Sequence, residues 1–94
     1  MTYNTFYRES SCYRIAVDDA GVGSVRILKR VNFKTFIQIF RELFGQMKKV
    51  SPDRAHVVLY MSHSLYEEMS ENTREFLSFC NVCLNVTFEL IIVE

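Results

Sequence analysis

The chain has 94 residues and no net charge, and 49% of its residues are hydrophobic while 23% are charged. This length fits one domain, residues 1–94, and the apolar content excludes a disordered chain. The apolar runs are too short to cross a bilayer, and the N-terminus lacks the basic and apolar regions of a signal peptide. With an odd number of cysteines, three, the sequence predicts an intracellular protein, cytoplasmic or nuclear, with free thiols.

The neutral total charge hides two oppositely charged halves. Residues 1–50 contain nine Lys or Arg and four Asp or Glu, a net charge of +5. Residues 51–94 contain two basic and seven acidic residues, a net charge of −5. Such an asymmetry bears on what a protein associates with rather than on how it folds.

The first part of the chain has the pattern of strands. Residues 2–7 are rich in β-forming types and predict a strand, which Ser10 and Ser11 separate from the next one. Apolar residues alternate over residues 12–17, which predicts a strand with one buried face. Residues 18–23 suit a turn, and residues 24–31 then form the returning strand of a hairpin.

An amphipathic helix of about four turns follows, with Asn32 as its N-cap. Its apolar residues recur at spacings of three and four: Phe33, Phe36, Ile37, Phe40, Leu43, Phe44 and Met47. Ile39 lies off this stripe, so it is either exposed at an interface or covered by the N-terminal segment. Residues 51–54 predict a turn.

The second half predicts a strand, a helix and a strand. Residues 57–61 are continuously apolar, as in a central strand covered on both faces. Ser64 and Glu67 form a capping box for the next helix, and a further cap, Asn72 with Glu75, predicts that this helix is kinked or split.

The last helix is predicted to end at Asn81 in a left-handed conformation. A final strand then spans residues 82–92, in which every second residue is apolar. The elements together predict an α+β fold of the form hairpin-helix-strand-helix-strand, a mixed sheet with two helices packed on it.

No residue set in the sequence has the pattern of an active site. Cys80 and Cys83 have the spacing of redox and zinc motifs, but they fall at a helix C-terminus, where the dipole opposes a thiolate, and a second ligand pair is missing. Residues 21–23 lack the remainder of a phosphate loop, and Ser64 beside His63 is explained as a cap. We therefore predict no enzymatic activity, no metal and no cofactor.

Two charged sets are the candidates for partner binding. The basic set surrounds the hairpin and the start of the first helix: Arg14, Arg26, Lys29, Arg30 and Lys34. In the predicted strand Arg26 and Arg30 share a face, which could hold a phosphate backbone or an acidic protein surface, or could simply face water. The acidic set follows one side of the second helix: Glu67, Glu68, Glu71 and Glu75. It either faces water or meets the basic hairpin of another copy.

Part of the sequence resembles a known family. Residues 24–36, SVRILKRVNFKTF, are similar in pattern to the second strand and helix start of Phox/Bem-type interaction domains. With the last strand, residues 88–93, the arrangement resembles the ubiquitin-like β-grasp. The resemblance implies a basic face that pairs with an acidic motif, often head to tail, with Arg14 as the first-strand basic residue. The family's Asp-rich motif is missing, and a Glu-bearing helix at residues 65–79 stands in its place.

The sequence thus favours a non-enzymatic protein–protein interaction module that can form a homo-oligomer through its basic and acidic halves. Two alternatives stay open: a small viral or phage accessory protein that inhibits a host factor, and a nucleic-acid-binding domain that uses the basic hairpin. Zero net charge argues against nucleic acid, and no membrane partner is expected. A different α/β sandwich with a mixed sheet is the competing fold, and fold alone does not choose between these functions.

Overall fold

The computed structural model describes residues 3–51 and 55–93, and within them one mixed sheet has the strand order β1-β2-β3-β4-β5. The strands are β1 Asn4–Glu9, β2 Tyr13–Asp18, β3 Gly23–Ile27, β4 His56–Met61 and β5 Thr87–Ile92. The helices are α1 Phe33–Val50, α2 His63–Glu67 and α3 Glu71–Cys83. β1, β2 and β3 are antiparallel neighbours, whereas β3, β4 and β5 run parallel.

A tight turn joins β2 to β3. Asp18 stabilises it through side-chain hydrogen bonds, and Gly21 adopts the backbone conformation that the turn requires. The Asp18 carboxylate accepts hydrogen bonds from the N–H groups of Ala20 and Val22. Gly21 has a φ of +86°, a conformation in which a Cβ would cost energy. The predicted turn at residues 18–23 is therefore confirmed.

All helices pack on one face of the sheet. The parallel connections from β3 to β4 and from β4 to β5 advance in the same direction, and right-handed crossovers then place their helices on the same side. Along β4 the residues alternate between buried and half-buried, with Val57 and Leu59 beneath the helices. The prediction that residues 57–61 are covered on both faces is wrong, because Val58 and Tyr60 lie on the sheet face opposite the described helices, which we call the helix-free face.

Phe40 occupies the centre of the core and is fully buried. Its ring centroid lies 4.8 Å from that of Phe36, 5.7 Å from Phe44, 5.9 Å from Phe76 and 5.8 Å from Phe88. One side chain therefore connects α1, α3 and β5, that is, the two halves of the chain.

The N-cap of α1 is confirmed: Asn32 Oδ1 accepts from the Thr35 N–H at 2.8 Å. The α1 helix is longer than predicted and continues to Val50. Ile39 is 3% exposed, so the alternative of an exposed interface residue is wrong. Ile39 lines a small cavity with Arg8 and Tyr13, which places it beneath the N-terminal strands.

The second helix is split, as the sequence predicted, but its caps differ. Ser62 caps α2 instead of Ser64, and Ser70 caps α3 instead of Asn72. The chain reaches the extended conformation of an N-cap at each of these serines, with ψ near 160°, two residues earlier than the predicted cap in both helices. The predicted pair with Glu67 or Glu75 therefore has no capping role.

Three predicted boundaries are also corrected. α3 continues past Asn81 to Cys83, and the left-handed residue is Asn85, with a φ of +57°. Residues 82–84 therefore belong to the helix end and not to the last strand. β1 ends at Glu9, beyond the predicted residues 2–7, of which Thr2 lies outside the described residues, as do residues 52–54 of the predicted turn.

The structure confirms the predicted α+β class, with a mixed sheet and helices packed on it. The finer β-grasp-like strand order is not confirmed. In the described residues the strands follow one another across the sheet in sequence order.

Candidate functional site

The strand order separates the two charged halves in space. β1, β2, β3 and α1 come from the basic half of the sequence, and β4, α2, α3 and β5 come from the acidic half. Because the sheet keeps the sequence order, the basic strands occupy one side of the molecule and the acidic strands the other. A division of the sequence thus becomes a division of the surface.

Two of the predicted basic residues meet on the helix-free face, which carries none of the helices in residues 3–51 and 55–93. Arg14 on β2 lies directly opposite Arg26 on β3. The Arg26 guanidinium stands 5.1 Å from the ring centroid of Tyr60, and Arg14 Nε lies 3.1 Å from Glu9 Oε2. A shallow groove on this face is lined by both arginines and by Tyr7 and Tyr60. Both cations thus have partners already, an aromatic ring and a carboxylate.

Tyr7 belongs to the same surface. Its hydroxyl donates a hydrogen bond to Glu9 at 3.0 Å. Desolvation and this bond to a carboxylate both raise the pKa of the Tyr7 hydroxyl. The phenol therefore stays a neutral donor at physiological pH.

The other three residues of the basic set lie outside the sheet. β3 ends at Ile27, so Lys29 and Arg30 lie in the loop before α1, and the prediction that Arg26 and Arg30 share a strand face is wrong. The strand ends early because the N–H groups of Leu28 and Lys29 turn to the carbonyl of Cys12. Lys34 is exposed in the first turn of α1.

Arg30 and Glu68, one residue from each charged set, line a cavity of about 410 Å³ at the carboxyl ends of β3 and β4. Its apolar lining is provided by Ile27, Val31, Phe33, Phe36, Met61, Leu65 and Met69. The buried Thr73 hydroxyl is already bonded to Ser70 at 2.9 Å, and Ser70 caps α3. The Asn32 amide and the hydroxyls of Ser70 and Thr73 therefore have structural roles, and the charged groups of the lining are those of Arg30 and Glu68.

The acidic residues do not follow one side of a single helix, which corrects the prediction. Glu67 ends α2, Glu68 is its C-cap, Glu71 opens α3 and Glu75 lies one turn later. All four are exposed. They give the α2–α3 surface its negative charge without converging on a ligand position.

The two C-terminal cysteines lie in the last turn of α3, as predicted, but in different environments. Cys80 is fully buried and Cys83 is exposed. Burial raises the pKa of the Cys80 thiol, so this thiol is less reactive than a solvent-exposed one. Within residues 3–51 and 55–93, no group of three or more His, Cys, Asp or Glu residues is placed to hold a metal ion.

The last strand, β5, forms one edge of the sheet. The N–H of Thr87 donates to Ala55 and that of Val93 to Met61, each at 2.9 Å. Since alternate residues of a parallel strand bond to the same side, Phe88, Leu90 and Ile92 direct their backbone N–H and C=O groups away from β4. This outward row is the open edge of β5.

Apolar side chains accompany the open edge. Leu90 is 42% exposed and Ile92 is 38% exposed, although both lie on the helix-covered face beside Leu59 and Met61. Only Glu89 is charged within the strand. An edge strand that carries apolar residues and no Lys or Pro is a template for pairing with another chain.

The opposite edge, β1, is protected. Its pairing with β2 is interrupted by an irregularity between Asn4 and Phe6. Arg8 turns toward α1, where its guanidinium lies 2.7 Å from the Glu42 carboxylate, and Glu9 binds Arg14. Bulges and charged residues of this kind are the features that discourage edge-to-edge association.

The sequence did not single out Leu90 and Ile92. Their alternation with polar residues placed them on a buried face, and they do lie on that face. An edge depends on which strands lie beside β5 in the sheet, so no local pattern in the sequence identifies it.

A scan against protein-family models, a search of curated proteins and a search of solved structures found no match for this chain. No helix in the described part of the chain is long and apolar enough to cross a membrane.

Proposed function

We propose that this chain is a non-enzymatic protein–protein interaction module and that β5 is its binding element. The observation that carries the proposal is the open edge: among the described residues no strand lies beside the outward backbone groups of Phe88, Leu90 and Ile92, and two of these residues have exposed apolar side chains. A partner strand that adds to this edge gains main-chain hydrogen bonds, and its side chains gain apolar contacts.

The charge division affects how fast a charged segment approaches β5. β5 belongs to the acidic half of the chain, so a basic segment approaches this side faster than an acidic one. Glu89 lies within the strand on the helix-free face. A cationic side chain on the added strand can pair with it there.

The resemblance to ubiquitin-like Phox/Bem-type interaction domains stays part of this proposal, since those domains also bind proteins. A viral or phage inhibitor of a host factor would use the same open edge, because it too has to hold a protein. A cytoplasmic or nuclear location also stays a prediction.

Peptide selection tests the proposal with a random library in place of one chosen partner. Displayed peptides of about ten residues, the upper length of an ordinary strand, are selected on the immobilised chain. Binders are then added to ¹⁵N-labelled protein. We expect the largest amide shifts at Leu90 and Ile92, together with slower hydrogen exchange of these two amides.

Two leucine substitutions give a matched control. Leu90→Lys places a charge on the open edge and is expected to abolish binding. Leu84→Lys makes the same change at a residue that is 52% exposed and lies outside the strand, and is expected to preserve binding. The proposal would be contradicted by selected peptides that shift amide signals on other surfaces and leave the Leu90 amide unaffected. Equal effects of the two substitutions on peptide binding would also contradict it.

Single-stranded nucleic acid is a second candidate, supported by the helix-free face with Arg14, Arg26, Tyr7 and Tyr60. Aromatic rings beside cations on an open sheet can stack bases. Filter binding of labelled oligo(dT) and oligo(U) at low salt tests this candidate, with Tyr60→Leu as the variant. Binding should fall steeply with added salt and shift the amides around Arg26. Absence of retention at low salt rejects this candidate and leaves the open edge of β5 as the binding element.

A further inference from the structure

The outward row of β5 is symmetric about its middle residue. Phe88, Leu90 and Ile92 all point their backbone groups outward, and all three side chains are apolar. An antiparallel strand fits such an edge when its own outward row has the same spacing. Every strand has this spacing, and a second copy of β5 also brings a row in which all three side chains are apolar.

We propose, on the basis of the binding element proposed above, that the partner of the open edge is a second copy of this chain. The two β5 strands pair antiparallel about a two-fold axis at Leu90. Leu90 then lies opposite Leu90 of the second copy, and Phe88 lies opposite Ile92 of the second copy. Each of these facing pairs exchanges two backbone hydrogen bonds, and two five-stranded sheets become one continuous sheet.

Charge rejects one neighbouring register, and lost pairing rejects the other. With the axis at Leu90, Glu89 faces Ile91 of the second copy. A shift of the axis to Glu89 places the two Glu89 carboxylates directly opposite each other, which is destabilising. A shift to Ile91 moves Phe88 beyond the facing strand and loses its pairing.

The apolar side chains favour the same register. Leu90 and Ile92 are the exposed residues of the helix-covered face of β5. In the two-fold arrangement the two Leu90 side chains become neighbours, and each Ile92 lies beside a Phe88. The exposed apolar surface of the edge is thereby covered by the same surface of the other copy, as a two-fold interface requires.

The two-fold dimer and a head-to-tail chain respond to salt in opposite directions. The two-fold dimer brings two acidic halves together, each with a net charge of −5, so screening strengthens it. A head-to-tail contact between the acidic side of one copy and the basic side of another is weakened by the same salt.

Disulfide trapping tests the register. Leu90→Cys is made in a background with Cys12→Ser and Cys83→Ser, while the buried Cys80 is retained. Facing residues have Cα atoms about 5.5 Å apart, which is within the range of a disulfide. Ile92→Cys is the control, because two Ile92 residues are four positions apart across the axis, about 13 Å. In a glutathione buffer we expect the Leu90→Cys chain to form a covalent dimer and the Ile92→Cys chain to stay monomeric.

Light scattering provides the second measurement. Molar mass should approach that of two chains at high protein concentration, and the dimer should tighten between about 0.05 M and about 0.5 M NaCl. Leu90→Lys should raise the dimer dissociation constant about tenfold or more, and Leu84→Lys should leave it unchanged.

Several results would overturn the two-fold dimer. These are a monomeric mass at the highest soluble concentration, equal cross-linking of both cysteine variants, or association that weakens with salt. If the chain is monomeric while selected peptides still shift Leu90 and Ile92, the two-fold inference fails and the proposed function stands. If the chain is monomeric and no peptide binds the edge, both fail.

Discussion

Truncation of Phe40 is the most direct test of how the two halves of the chain are joined. The side chain is fully buried and its ring lies within 6 Å of four other rings, on α1, α3 and β5. Phe40→Ala removes these contacts and leaves a cavity, so we expect the free energy of unfolding to fall by about 3–5 kcal/mol. A chain of this length has a total of about 5–14 kcal/mol. The variant therefore loses a large part of its stability.

Guanidinium unfolding followed by circular dichroism measures this loss. The midpoint of unfolding should fall, while the slope of the unfolding free energy against guanidinium concentration stays unchanged because the fold itself is retained. Phe33→Ala is the control: Phe33 is 39% exposed and contacts one ring, Phe76, at 6.4 Å. Its expected cost is about 1 kcal/mol. Equal losses in the two variants would refute the central role of Phe40. If Phe40→Ala does not fold, Phe40→Leu gives the same comparison at a smaller cost.

Further predictions concern the caps and the thiols. Ser70→Ala should lower the free energy of unfolding by about 1 kcal/mol through loss of the α3 cap, whereas Asn72→Ala should change it by less than about 0.5 kcal/mol; the opposite order in denaturant titrations would contradict the cap assignment. Asn85→Gly should be neutral or slightly stabilising, and Asn85→Val should cost about 1–2 kcal/mol, because Asn85 has a φ of +57°. A thiol reagent should modify Cys83 in the folded chain and Cys80 only on unfolding. Because burial raises the pKa of Cys80, the stability linked to this thiol is complete below the ordinary thiol pKa and is lost as pH rises through the raised value. Cys80→Ala should flatten the fall in unfolding free energy on the alkaline side, and an unchanged pH profile would contradict the assignment.

Local patterns predicted most of the elements because their signals are local. The apolar periodicity of α1, the cap at Asn32 and the turn at residues 18–23 depend on neighbours in the chain. The caps of α2 and α3 were each misplaced by two residues, because serine and asparagine are both competent caps and the choice depends on where the chain leaves β4. That point is set by the sheet and is not visible in the local sequence.

The candidate site was less predictable, because an edge is a property of the whole sheet. The alternation in residues 82–92 correctly assigned Leu90 and Ile92 to the helix-covered face. It contains no information on which strand lies beside them. The charge division was visible in the sequence, but its separation in space follows from the sequential strand order. A sheet that interleaved its strands would have mixed the same charges.

The two edges of the sheet together determine how far association can proceed. A chain with two open edges would add copies at both and grow into a filament. Here the irregularity in β1 and the ion pairs of Arg8 and Arg14 protect one edge, while the β5 edge is open. Association through β5 therefore pairs the open edge of each copy with that of the other. The joined sheet then has a protected β1 strand at both of its edges. A two-fold contact is for this reason self-limiting: it stops at two chains, which fits the proposal of a defined dimer and argues against open-ended growth.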